Sequence, residues 1–91
     1  TLGCLVGELR ETSMPPSGLG EVGYIDVMWV EPDSRGSGVA TALVAHAERW
    51  FDSKGVDTIE LAYLAANELA ATAWSKLGYK PFRVFAFKSI R

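Results

Sequence analysis

The stretch YIDVMWVEPDSRGSGVA, residues 24–40, runs from an apolar segment through a proline into a glycine-rich one. Val, Ile, Tyr and Trp dominate residues 21–30, which predicts a strand. Pro32 marks a turn, and Gly36 and Gly38 lead into an amphipathic segment with helical spacing. A strand that feeds a helix N-terminus through glycines leaves several backbone N–H groups unpaired and pointing one way. Those orphan donors and the positive end of the helix dipole act together, which makes the segment a natural anion site. A phosphate-bearing ligand is therefore expected at Arg35, Gly36, Ser37, Gly38, Val39 and Ala40.

Working outward, alternation along the strand puts Tyr24, Asp26, Met28 and Val30 on one face, with Ile25, Val27 and Trp29 on the other. Both faces are largely apolar, so burial on both sides is expected, with Asp26 as the exception. Upstream, residues 2–10 (LGCLVGELR) read as a strand weakened by Gly3 and Gly7. Residues 11–20 (ETSMPPSGLG) read as a turn, because Pro15 and Pro16 cannot donate to a ladder; the two strands then form an antiparallel hairpin. Downstream, Val39, Leu43, Val44, Ala47, Trp50 and Phe51 make an apolar stripe along a helix over 38–54, stopped by Gly55. Residues 57–64 (DTIELAYL) return as a strand. Strand, helix and strand close as a right-handed crossover with the strands parallel.

Asn67 is a suitable N-cap for a second helix over 68–77, with Leu69, Ala70, Ala73 and Leu77 as its apolar stripe and Gly78 at its end. Residues 79–90 (YKPFRVFAFKSI) alternate Phe82, Val84, Ala86 and Lys88 against Arg83, Phe85 and Phe87, which predicts a final strand with Pro81 near its start. The order is β, β, α, β, α, β. The expected class is α/β (an α+β mixed sheet) in one domain over 1–91, built from an antiparallel hairpin, one parallel βαβ unit and a last strand.

A chain of 91 residues supports one small core. At 48% hydrophobic and 22% charged it is neither disordered nor membrane-spanning in composition. The net charge of −2 argues against nucleic acid as the main partner, since that partner calls for a basic face. Cys4 is the single cysteine, which excludes an internal disulfide and a cysteine-based zinc site and points to a reducing, cytoplasmic setting. His46 stands alone among polar neighbours and is a poor metal ligand; no metal is expected.

Two motifs stand in order along the chain. The first is Val30-Glu31-Pro32 followed by Arg35-Gly36-Ser37-Gly38-Val39-Ala40; the second is Asn67, Ala70, Trp74, Gly78 and Tyr79. Separated by a helix and a parallel strand, they resemble the signatures of the GNAT superfamily of acetyl-CoA-dependent N-acetyltransferases. The short glycine pattern alone is common; the pair in sequence is specific. The resemblance covers residues 2–90. It implies that backbone N–H groups of Gly36, Ser37, Gly38, Val39, Ala40 and Thr41 hold the coenzyme A pyrophosphate, with Arg35 at the loop's edge. It implies too that the edge of Met28, Trp29 and Val30 pairs with the pantetheine amides, that the two parallel strands splay to admit that arm, and that Asn67 and Trp74 border it.

The implied reaction is direct attack of a primary amine, on a small molecule or a protein, upon the acetyl thioester. Asp26 is the candidate base for deprotonating the amine; its alternative is a structural ion pair, with Arg83 as a partner. Glu60 is a second, weaker choice. Trp74 stands where relatives often carry a tyrosine that reprotonates the thiolate, and an indole N–H is no usable acid. Tyr63, Tyr79 or water would have to substitute, unless the leaving thiolate needs no help.

Besides Trp74, the chain departs from the family pattern in lacking the usual N-terminal strand and two helices before the hairpin, which wall the acceptor site in relatives. Either a segment precedes Thr1 or a partner subunit closes the site. The first strand would otherwise present an open edge, so a homodimer is expected. The competing readings are a coenzyme-A-binding module without catalysis and the coenzyme-binding part of a larger acetyltransferase.

Overall fold

The computed structural model describes residues 2–12 and 20–91. Two strands, β1 (Gly3–Thr12) and β2 (Gly20–Val30), pair antiparallel from Gly3 opposite Val30 to Thr12 opposite Gly20. The proline-rich tip between them, residues 13–19, lies outside the described residues. A 3-10 turn (Pro32–Ser34) leads to helix α1 (Val39–Ser53), then strand β3 (Ile59–Leu61) and helix α2 (Glu68–Lys76). The sheet order is β1-β2-β3, with β3 parallel to β2. The mixed α/β architecture expected from the sequence is thus present.

Helix α1 forms where the stripe predicts and buries Val44, Ala47 and Phe51, while Trp50, expected on the same stripe, is 44% exposed. Phe51 is 1% exposed, and its ring fills the space that side chains at Gly7 and Gly23 would take. A Cβ on Gly23 would stand 2.6 Å from the Phe51 ring, so the strand needs glycine there for helix and sheet to close. Ile25, Val56 and Trp74 complete the cluster. Burying one such aromatic contributes about 1.5–3 kcal/mol, a large share of the stability of a small domain.

The sheet holds a phase change that alternation alone does not reveal. Val6 lies opposite Val27, yet Gly7 lies opposite Ile25, so Asp26 is an extra residue on β2, a β-bulge. The faces differ on its two sides. Gly23 and Ile25 face α1 before it; Met28 and Val30 face α1 after it. The expected set of Tyr24, Met28 and Val30 is therefore split, and Val27 (50% exposed) and Trp29 (46% exposed) lie away from the helix. Burial on both sides does not hold for this end of β2, because among the described residues α1 covers one face and Val6, Val27 and Trp29 remain open on the other.

Three further expectations are corrected. Strand β3 is three residues long rather than spanning 57–64, because its ladder with β2 ends at the pair Ile25–Leu61. The buried side of α2 runs through Ala70, Trp74 and Leu77, while Leu69 is 86% exposed, since Trp74 carries the contact with the core. Residues 79–90 form no strand: beyond Tyr79 the segment has no ladder, and Val84, Phe85 and Phe87 are 87%, 83% and 96% exposed. A strand requires a hydrogen-bonded neighbour, and no described strand pairs with this segment.

Candidate functional site

The site begins where the sheet opens. β2 continues to Val30, but its parallel pairing with β3 covers only Gly23–Ile25 against Ile59–Leu61. Past Ile25, the bulge at Asp26 turns the strand, and the edge of residues 26–30 that would face β3 carries no ladder with it. Backbone donors and acceptors there are available to an extended ligand that adds as a strand.

The glycine loop stands at the end of this open edge. Arg35 donates from Nε to the Val30 carbonyl at 3.1 Å, which ties the loop to the strand terminus. That bond gives the Arg35 side chain a structural task. The 3-10 turn takes the Arg35 and Ser37 N–H groups, onto the carbonyls of Pro32 and Ser34, and the Ser37 hydroxyl also reaches Ser34. Gly36 and Gly38 both adopt the left-handed region, with φ of 84° and 89°, and α1 opens with Gly38 as an N-cap that has no side-chain bond. The N–H groups of Val39, Ala40 and Thr41 head the helix, where no intrahelical acceptor exists. A Cβ at Gly36 or Gly38 would meet no protein atom within 4 Å. Glycine is required by the backbone angle, and the space it leaves is open toward a ligand. An unobstructed cradle of N–H groups at a helix N-terminus fits a pyrophosphate.

Asn67 caps α2 as expected, its side chain accepting from the Ala70 N–H at 3.0 Å. Trp74 is 8% exposed and packs edge-to-face on Tyr79, with ring centroids 5.2 Å apart. The Tyr79 hydroxyl donates to Glu48 at 2.7 Å. Burial, with the Glu48 bond and charge, pushes the Tyr79 phenol far above its usual range. Its proton is held in place, which removes Tyr79 as a ready acid; Tyr63 is half-buried against the core.

Asp26, on the bulge, is in an ion pair, and the partner is Arg10 rather than Arg83. Arg10 Nη2 donates to Asp26 Oδ1 at 2.9 Å, its Nε pairs with Glu8, and its guanidinium lies 3.6 Å over the Tyr24 ring. The Arg10 bond holds the exposed Glu8 carboxyl below its ordinary range. This cluster was not legible in the sequence, because β1 and β2 had to be paired in register before Arg10 met Asp26. Glu60 is half-buried on β3, opposite Tyr24. His46 is exposed on α1, and among the described residues no three His, Cys, Asp or Glu side chains gather as a metal site. No helix among them is long and apolar enough to cross a membrane.

The model of the acetyltransferase (GNAT) family matches residues 2–79. No curated protein matches the chain. Among solved structures, a Pyrococcus furiosus protein assigned as an acetyl transferase aligns at TM-score 0.86 and 26% identity, over 98% of this chain and 57% of that one. The aminoglycoside N-acetyltransferase AAC(6')-Iy in complex with CoA aligns at 0.86 and 22% identity, over 99% of this chain and 67% of that one. Aminoglycoside 6'-N-acetyltransferase AAC(6')-Ih from Acinetobacter baumannii aligns at 0.82 and 24% identity, over 97% and 60%. The chain spans roughly three fifths of the length of these relatives.

Proposed function

Since the chain belongs to the acetyltransferase (GNAT) family, we propose that it transfers an acetyl group from acetyl-coenzyme A to a primary amine by direct attack. The observation that carries this reading is the junction of an open parallel strand pair with a glycine loop and helix N-terminus at the end of the same strand. In this reading the N–H groups of Gly36, Gly38, Val39, Ala40 and Thr41 hold the pyrophosphate, and residues 28–30 pair with the pantetheine amides. Asn67 and Trp74 border the arm on the α2 side. A backbone N–H of β2 beyond Ile25 polarises the thioester carbonyl, and fixed donors of this kind supply much of the rate in acyl transfer.

Asp26 takes the proton from the amine. Arg10 occupies its Oδ1 and fixes its direction, and Oδ2 faces the acceptor in this reading. Holding amine and thioester together contributes several kcal/mol in addition. The acceptor is a small molecule or an exposed protein amine, and the CoA and CoA–aminoglycoside analogue complexes among the structural neighbours support this class. We place the protein in the cytoplasm as a homodimer, on the single thiol Cys4 and on β1 at the sheet's edge.

A second reading has a specific observation in its favour. Both titratable groups best placed for proton transfer are engaged, Asp26 with Arg10 and Tyr79 with Glu48. That suits a coenzyme-A-binding module without turnover, or the coenzyme-binding part of a longer acetyltransferase. Free thiol release from acetyl-coenzyme A, measured with a panel of mono-, di- and polyamines, separates them. Amine-dependent release supports the transferase; binding with no release under any amine supports the module.

A further inference from the structure

Arg10 is held at three points, and Asp26 is one of them. Its Nε donates to Glu8 Oε1, two positions back on the same face of β1. Its guanidinium lies 3.6 Å over the Tyr24 ring, and its Nη2 donates to Asp26 Oδ1 at 2.9 Å. The register explains the arrangement. Glu8 stands opposite Tyr24 and Arg10 opposite Val22, so Arg10 runs back along the strands, across the Glu8–Tyr24 pair, to meet the bulge. An aromatic face attracts a cation, and the arginine fork is planar and rigid, so two contacts direct the third. Glu8 and Tyr24 therefore aim Arg10 before Asp26 is counted.

The group carries one positive and two negative charges. The Asp26 side chain is 25% exposed, against 44% for Arg10 and 48% for Glu8, so its charge is the least screened by water. The Arg10 bond holds the Glu8 carboxyl below its ordinary range, which keeps Glu8 ionised at neutral pH. Two more titratable groups stand on this face, Tyr24 on β2 and, opposite it, Glu60 on β3. When an ammonium gives a proton to Asp26, an N–H bond breaks and an O–H bond forms on Oδ2. The nitrogen keeps the electron pair with which it attacks the thioester carbonyl. Asp26 is then neutral, and an arginine paired with it alone would be left without a counter-charge. Glu8 supplies that charge throughout.

We propose that Glu8 is a positioning residue for the transfer reaction: with Tyr24 it holds Arg10 so that Arg10 engages one oxygen of Asp26 and keeps a counter-ion when Asp26 takes up a proton. The proposal rests on the reading of Asp26 as the acceptor of the amine's proton. An arginine fork left to itself grips both oxygens of a carboxylate. Here Nε is committed to Glu8 and Nη2 to Asp26, so the fork is divided between two carboxylates and Oδ2 stays open. The ion pair at Asp26 thereby becomes a guide for the base rather than a block on it.

The test uses the full chain. Amine-dependent thiol release from acetyl-coenzyme A is followed across pH, and the Arg10 Nε–H by nitrogen-15 NMR. In Glu8→Gln the whole charge of Arg10 acts on Asp26 and favours the carboxylate. The acid limb of kcat/KM for the amine should then move down by about half a pH unit, and kcat should fall about 2–5-fold with KM for acetyl-coenzyme A unchanged. In Arg10→Met the sign reverses, because Asp26 loses its cation and keeps Glu8 as a like charge; the limb should move up. Arg10→Lys keeps the charge without the fork, so it should return the limb toward its native position without restoring kcat. In the spectra, Asp26→Asn should leave the Nε–H signal near its native position, and Glu8→Ala should send it to that of free arginine. Limbs that stay in place, or move the same way in Glu8→Gln and Arg10→Met, overturn the proposal. So does an Nε–H released as fully by Asp26→Asn as by Glu8→Ala. Absence of amine-dependent release at every pH overturns the transferase reading instead, and the Nε–H comparison then decides the hold on Arg10 by itself.

Discussion

Replacing Gly38 by alanine separates the two demands on the glycine loop. Gly38 has φ 89°, and an added Cβ would meet nothing within 4 Å. The cost to folding is therefore backbone strain alone, about 1–2 kcal/mol for a non-glycine residue in the left-handed region. On a domain of this size that lowers Tm by roughly 4–8 °C per kcal/mol. Gly55 is the matched control, with φ 82° and equally open space, at the other end of α1. Fifteen residues of helix put it about 22 Å from the loop.

Gly38→Ala and Gly55→Ala should thus show nearly equal thermal shifts. Only the first should weaken coenzyme A binding, because its methyl enters the space a pyrophosphate needs. Losing one N–H bond to a charged group costs about 1.5–3 kcal/mol, so affinity should fall by a factor of about 10 to 150. Isothermal titration with coenzyme A, alongside thermal melts, reads both quantities. Equal affinity in Gly38→Ala and the native chain, or an equal loss in Gly55→Ala, refutes the assignment of the loop.

Other outcomes follow from the packing and the ion pairs. Gly23→Ala drives a Cβ to 2.6 Å from the Phe51 ring and should destabilise by about 1–3 kcal/mol in denaturant titration; adding Phe51→Leu should recover part of it, and strict additivity would count against the contact. Arg35→Met removes the bond to the Val30 carbonyl and should weaken coenzyme A binding without unfolding the core, because the loop loses its tie to the strand end. For Tyr79, the folded phenol is raised above its unfolded value near 10. Its stabilising contribution is therefore complete below pH about 10 and is lost as pH rises toward the folded value. Tyr79→Phe should flatten the alkaline loss of stability, and ultraviolet titration of the native chain should show one tyrosine ionising later than the others. Asp26→Asn should lower amine-dependent turnover by about 10²–10⁴-fold if Asp26 serves as the base, and an unchanged rate assigns it to the ion pair alone.

Local chemistry made much of this legible in the sequence. Gly36, Gly38 and the stripe of α1 announce the loop and helix through backbone angle and period, which neighbouring residues decide by themselves. Asn67 caps α2 through a bond spanning three residues. The bulge was hidden because Val27, Met28, Trp29 and Val30 are all apolar, so polarity gives no phase across them. The Arg10–Asp26 pair depends on register between strands and the Tyr79–Glu48 bond on packing across 31 positions, neither of which a single pass along the chain contains. The last segment read as a strand because side-chain pattern is local, whereas a strand exists only with a neighbour.

The extra residue at Asp26 has a consequence for how this protein tolerates change in length. It shifts the parity of β2, so that Ile25 and Met28, an odd and an even position, both point at the helix. Deleting Asp26 would restore simple alternation with Val27 and Trp29 still outward and Met28 and Val30 still inward, and would remove the turn that the bulge puts into the strand's open edge. One codon removed there would spare the core and change the ligand edge alone, whereas one codon added would turn the residues beyond it to the opposite face. Insertions at this point should therefore be barred far more strongly than loss of Asp26, and a library that varies length there would measure the difference directly.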